Sequence, residues 1–328
     1  MSTCMFLLDR QNHRFVAVES RDHSIYRPHG FQAARELGLT HRFSYGPHWH
    51  DNPELRDRIW TIGNATESAS AEVVGGLDID GGTWLALHRR TGVYCRILTE
   101  TPDDPEFVSP RGLPIDCATA ESAREAVRLL ETRLRPALEE SGKRMPGFHM
   151  LVADPRDAFV VAFDGADSVT ATALPDGRPH VLTESGPAAD DESGKRLQSL
   201  AESAAAPDEK LTSWAPWLTL FASRPDDAPD YSTENWVASA HSTIRPPYRD
   251  TEDRNRHKNV ALFPVTDPSQ AAWTKSVSIY SAGKTGAELF AYNERQLFDY
   301  QPLPSDVRRV GFPTTPDDFF VVIANENS

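Results

Sequence analysis

Cysteine is scarce in this 328-residue chain, which carries only Cys4, Cys95 and Cys117. An odd, sparse set without CxxC spacing excludes a disulfide framework and a structural zinc site, and it points to a reducing, cytoplasmic setting. Positive charge is short as well. The 34 Lys and Arg stand against 48 Asp and Glu, a net charge of −14. That balance excludes nucleic acid as a partner, because phosphate backbones are held by clustered cations. No apolar run approaches the ~20 residues of a membrane span, and no secretory pattern opens the chain. Internal repeats and clean linkers are missing too, so one domain over residues 1–328 is expected. With 39% hydrophobic residues there is enough apolar material for a sizeable core, and 25 prolines predict many turns.

Strands dominate the first hundred residues. Two β-prone runs, Met5 to Leu8 and Phe15 to Val18, flank about five polar residues and predict a hairpin. Val73 to Leu87 reads as strand, glycine turn, strand, and Val93 to Leu98 as a further strand reached through Thr91-Gly92. With no interleaved helices, the sheet is expected to be antiparallel. Residues 101–117 read as a Pro- and Asp-rich loop. Thr119 to Leu138 is the strongest helix, with Thr119 as N-cap and an apolar stripe of Ala123, Ala126, Val127, Leu130 and Leu134. Phe148 to Ala153 and Phe159 to Phe163 make a second hairpin. Further strands follow at 169–174 and 180–183, then helices at 193–203 and 211–221. Late strands are expected at 260–265, 276–280, 288–292 and 319–323. The class is α+β, with layered sheets and helices.

The first hairpin returns the chain so that Glu19, Ser20, Arg21 and Asp22 finish close to Cys4. A thiol with a reference pKa of ~8.5 is mostly protonated at neutral pH, and a nearby cation favours the thiolate. Cys4, Arg21 and Asp22 are therefore the candidate catalytic residues, with Arg21 activating the sulfur and Asp22 orienting it or handling its proton. The bland readings are a small buried hydrophobe for Cys4 and a structural salt bridge for the other two. His48-Trp49-His50-Asp51 offers alternating imidazoles, but no second cluster completes a metal set, so a solvated aromatic loop is expected there. The Arg245 to Lys258 stretch mixes cations with Asp250, Glu252 and Asp253 and reads as a self-neutralising loop. The glycine pairs are not phosphate loops, since no Lys-Ser/Thr follows them.

Cys4 near the start, Ser20-Arg21-Asp22, Arg27-Pro28 and Gly81-Gly82-Thr83-Trp84-Leu85 together resemble the transport and Golgi organisation protein 2 (NRDE) family. Weaker echoes are Pro110-Arg111-Gly112, Phe148 to Asp154, and Trp273-Thr274-Lys275-Ser276. The resemblance implies a relative of the N-terminal nucleophile hydrolases, with a four-layer αββα sandwich and a cysteine that attacks an amide or acyl carbonyl of a small molecule. It also implies substrate-binding positions at Trp84, at Thr99 (or Glu100) and at Lys275. No cofactor or metal is implied on this reading. Non-catalytic handling of haem, acyl-CoA or another hydrophobic ligand is the alternative for the family. A biosynthetic enzyme that shapes its reaction without the thiol is another. In this sequence three residues precede Cys4, so a free cysteine amine requires cleavage after Thr3.

Overall fold

In the computed structural model, the first apolar run forms strand β1 (Thr3–Asp9) and the second forms β2 (Arg14–Ser24). The structure describes residues 3–24, 62, 73–76, 83–98, 107–183, 186–187, 192–208, 211–214, 216–217, 220, 272–283, 286–293 and 320–323. The β1–β2 turn is fixed by Asp9, whose carboxylate accepts from the Asn12 backbone N–H (3.1 Å) and side-chain amide (2.7 Å). It closes through His13, a non-glycine residue at φ 51°. The register is in step throughout, from Thr3 opposite Ser20 to Asp9 opposite Arg14.

The described strands form two antiparallel sheets. A six-stranded sheet runs in chain order through β3 (Val73–Gly75), β4 (Leu85–His88), β5 (Tyr94–Leu98), β6 (Phe148–Ala153), β7 (Ala158–Phe163) and β8 (Val169–Ala173). The second sheet adds β9 (Pro179–Thr183), β10 (Gly186–Pro187), β11 (Ala272–Gly283), β12 (Gly286–Asn293) and β13 (Phe320–Ile323) to the first hairpin. Its order is β10-β9-β1-β2-β11-β12-β13, which places β1 and β2 centrally. The class is α+β, as the alternation of the sequence predicts.

Period-two alternation sends each strand's side chains into two different cores. Cys4, Phe6 and Leu8 of β1 pack with Phe15 and Ala17 of β2 against Leu85, Leu87, Tyr94, Leu98, Leu151 and Val160 of the other sheet. Met5, Leu7, Val16 and Val18 pack instead with Leu197, Ala201, Trp214 and Trp217. Leu197 and Ala201 belong to a helix over Glu192–Ser203, called α3 because two helices precede it among the described residues. Those two are α1 (Leu113–Ala118) and α2 (Ala123–Ser141), which bury Leu113, Ile115, Leu130 and Leu134 against Cys95, Ile97, Met150 and Val161. No helix among the described residues is long and apolar enough to cross a membrane.

Two expectations need correction here. Residues 113–118 are not loop but α1, preceded by a 3₁₀ turn at Pro110–Gly112. Their prolines sit in first turns, where a missing N–H costs nothing. The strongest helix starts at Ala123 with Ser122 as N-cap, whereas Thr119 terminates α1. Ser122 Oγ accepts from the Glu125 N–H (3.2 Å), while Glu125 reaches back to the Glu121 N–H (3.1 Å). The Ser-x-x-Glu sequence thus caps the helix, with the glutamate reaching one residue beyond the N-cap rather than to the N-cap's own N–H. Pro136 lies inside α2 on its exposed face, where water can serve the carbonyl it frees, and Gly142 ends the helix at φ 62°. The strand expected at 260–265 lies outside the described residues. The stretch expected as a helix over 211–221 begins with a 3₁₀ turn at Leu211–Trp214.

Candidate functional site

Cys4 occupies the second position of β1, directly opposite Glu19 of β2, and Glu19 is in turn opposite Ser278 of β11. Opposed residues of an antiparallel ladder share a face. This row therefore belongs to the face that also carries Phe6 and Phe15, between the sheets. From the other sheet, Tyr94, Arg96 and Leu98 alternate on the inward face of β5. The result is a polar cluster in a layer otherwise filled with hydrocarbon.

Glu19 is its centre and is 2% exposed. Its Oε1 accepts from the Trp84 indole N–H (3.1 Å), its Oε2 accepts from the Tyr94 hydroxyl (3.5 Å), and the Arg96 guanidinium ion-pairs with it. Arg96 donates further to the carbonyls of Trp84 (3.1 Å), Ile97 (2.7 Å) and Ser20 (3.2 Å), so the cation is anchored on both sheets. Trp84 reaches Glu19 because Gly76 leaves room for it, as a Cβ at that position would overlap the indole ring. A buried ion pair of this kind is weak grounds for stability, since desolvation offsets most of its attraction. Its placement beside a thiol makes it a functional candidate.

The Cys4 thiol is wholly buried. Burial pushes its pKa far above the usual thiol range, and the Glu19 charge pushes it further. Arg96 and the neighbouring Tyr94 hydroxyl pull in the opposite direction and do not prevail. With Thr3 ahead of it, the Cys4 nitrogen is a peptide amide, and Thr3 is itself fixed by its N–H to Ser20 Oγ (3.3 Å). In the intact chain the sulfur is a protonated thiol without a free amine beside it.

The other expected positions fall as follows. Arg21 and Asp22 are the residues of β2 just past Ser20, with backbones opposite Ser276 and Thr274. The register slips between those two, leaving Lys275 as the extra residue next to Arg21 and Asp22. Irregularities of this kind recur beside active sites. The side chains of Arg21, Asp22 and Lys275, and the whole of Thr99, lie outside the described residues, as do His48, His50 and the 245–258 cluster. Among the described residues, no group of three or more His, Cys, Asp or Glu is placed to hold a metal.

Sequence reasoning missed Glu19, Tyr94 and Arg96. The signal was present, since Arg96 sits at an inward position of Tyr-Cys-Arg-Ile-Leu and Glu19 continues the Phe15, Ala17 face. Charges at inward positions of apolar strands must find each other. What the one-dimensional pattern lacked was the packing of β2, face to face, against a strand of the other sheet some 75 residues later. No protein-family model matches the chain, and no curated protein matches it in sequence.

Proposed function

We propose that this chain is a cysteine enzyme of N-terminal nucleophile hydrolase type, acting on an amide or acyl group of a small molecule. What supports that reading is three cores, one joining α1 and α2 to the six-stranded sheet, one joining the two sheets, and one joining the seven-stranded sheet to α3. The observation that carries it is the convergence of thiol, carboxylate, phenol and guanidinium near the start of β1. The Arg21, Asp22 and Lys275 register lies two to three residues further along β2, and Trp84 and Thr99 flank the β4–β5 pair in sequence.

The buried, protonated thiol dictates the form of the chemistry. Cleavage between Thr3 and Cys4 exposes an α-amine (pKa ~7.7–8.0) that accepts the thiol proton. The sulfur then bonds to the substrate carbonyl carbon, the carbon–nitrogen bond breaks, and the departing amine takes the proton from the α-ammonium. Water, or a second nucleophile in a transfer reaction, adds to the thioester and releases the thiol. Arg21 favours the thiolate and Asp22 orients it, while the Glu19–Arg96 pair holds the two sheets in register around the sulfur. Without cleavage the chain is inactive.

The test compares the purified full chain with a version whose initiating Met directly precedes Cys4, so that Met removal exposes the cysteine. Intact mass fixes each N-terminus. Both are assayed on a panel of N-acyl amides and thioesters, with Cys4→Ala and Cys4→Ser as controls and iodoacetamide labelling read by peptide mass. Turnover and preferential Cys4 labelling confined to the cleaved form are expected. Turnover unchanged in Cys4→Ala, or Cys4 labelling no better than Cys95, rules the reading out. Saturable haem or long-chain acyl-CoA binding without turnover in either form would replace it by a carrier role.

A further inference from the structure

We propose that the end of the sheets remote from Cys4 carries a binding site for a small-molecule oxyanion, a carboxylate or a phosphate. A cleft of about 570 Å³ opens there between the β1–β2, β4–β5 and β6–β7 turns, lined by His13, Arg90, Thr91, Glu121, Asp154 and Arg156. That volume suits a metabolite-sized ligand. From Cys4 to the last residue of β1 is five residues, roughly 17 Å of strand, so the cleft is separate from the thiol.

Charge decides what fits. The Asp154 carboxylate is buried and fully engaged, with Oδ2 accepting from the Ala123 N–H (2.7 Å) and Oδ1 from those of Arg156 (2.7 Å) and Asp157 (2.9 Å). Glu121 is held by a two-pronged contact from Arg90 (2.8 and 3.2 Å), which keeps its carboxyl below the usual range. That pair is exposed, so exchanging Glu121 for a ligand oxyanion costs Arg90 little. Most other arginines at this end are committed to carboxylates: Arg10 to Asp176, Arg14 to Asp9, and Arg124 to Asp157. The Arg156 guanidinium and the His13 ring have no hydrogen-bond or ion-pair partner among the described residues. In a chain of net charge −14, two uncommitted nitrogen donors on a cleft wall match a planar or tetrahedral oxyanion.

The wall is also preorganised. Both backbone polar groups of Arg156 are held, its N–H by Asp154 and its carbonyl by Arg10 Nε (2.8 Å). The adjacent Gly92, at φ 69°, has its carbonyl fixed by the Tyr280 hydroxyl (2.7 Å) and lies close against Pro155 and Ala282. Donors that do not need ordering give more of their interaction to the ligand.

The test titrates the full chain with inorganic phosphate and, separately, with succinate. Ionic strength is held constant with sodium chloride, and the Gly92, Ala123 and Arg156 amide resonances are followed. Saturable shifts at those amides are expected, with the tighter of the two probes naming the oxyanion class. Arg156→Ala weakens binding about tenfold. His13→Asn, which tolerates the left-handed turn, also weakens it. Glu121→Gln removes the carboxylate that competes for Arg90 and tightens it. Cys4→Ala binds like the parent chain, so a failed thiol chemistry leaves this site standing. Responses no larger than those to chloride, or an Arg156→Ala affinity equal to the parent's, overturn the proposal.

Discussion

Glu19 and Arg96 illustrate how a single residue's meaning depends on what it faces. In sequence each is a charge in a strand. In the fold they are 2% and 1% exposed and bridge the two sheets beside a thiol. Removing the cation strands a buried carboxylate, whereas removing both charges removes the desolvation cost as well. Arg96→Met is therefore expected to lower stability by about 3–5 kcal/mol, and Arg96→Met with Glu19→Leu by less than the single change. Urea denaturation of the parent, both singles and the double variant measures this. A double variant less stable than Arg96→Met alone would show that the pair contributes net stability instead.

At the scale of elements, α2 shows that local chemistry was readable but ambiguous. Thr119 and Ser122 are both capping residues by type, and three positions separate them. Only Ser122 has Glu125 three residues on and an extended φ of −159°. Ser122→Ala is expected to cost about 1 kcal/mol, and Ser122→Asp to restore most of it, since aspartate caps equally well and complements the helix dipole. The shift in urea midpoint at constant slope reports it. The apolar stripe of α2 was fully legible, because its periodicity comes from the helix itself. Helix α1 was hidden by Pro114 in its own first turn and Pro110 in the 3₁₀ turn before it.

Across the whole molecule, several buried acids share one fate. Burial raises the Cys4 and Cys117 thiols and the Tyr94 and Tyr280 hydroxyls above their ordinary values. The folded chain thus keeps protons that the unfolded chain releases from ~8.5 upward for thiols and ~10 for tyrosines. Binding more protons when folded means that stability is full below pH ~8.5 and falls above it, by about 1.4 kcal/mol per pH unit for each thiol. Urea midpoints at pH 7, 8, 9 and 10 check the sign. A constant midpoint to about pH 8 followed by a decline is expected, and Cys4→Ala combined with Cys117→Ala flattens the decline up to pH ~10. A flat parent profile would mean that the thiols titrate normally.

By itself the sequence determined what neighbours along the chain can decide. It gave the first hairpin with its two faces, the antiparallel strands around Gly92, the stripe of α2 and the acidic balance. These follow from the two backbone periodicities and from turn chemistry, which act over a few residues. The tertiary structure alone decided that Glu19 meets Arg96 from the opposite sheet, that the Cys4 sulfur is sealed among them, and that three separate turns enclose a cleft with an uncommitted arginine. Such contacts join residues that chain order keeps far apart, and they are set by how two whole sheets bury their faces against each other.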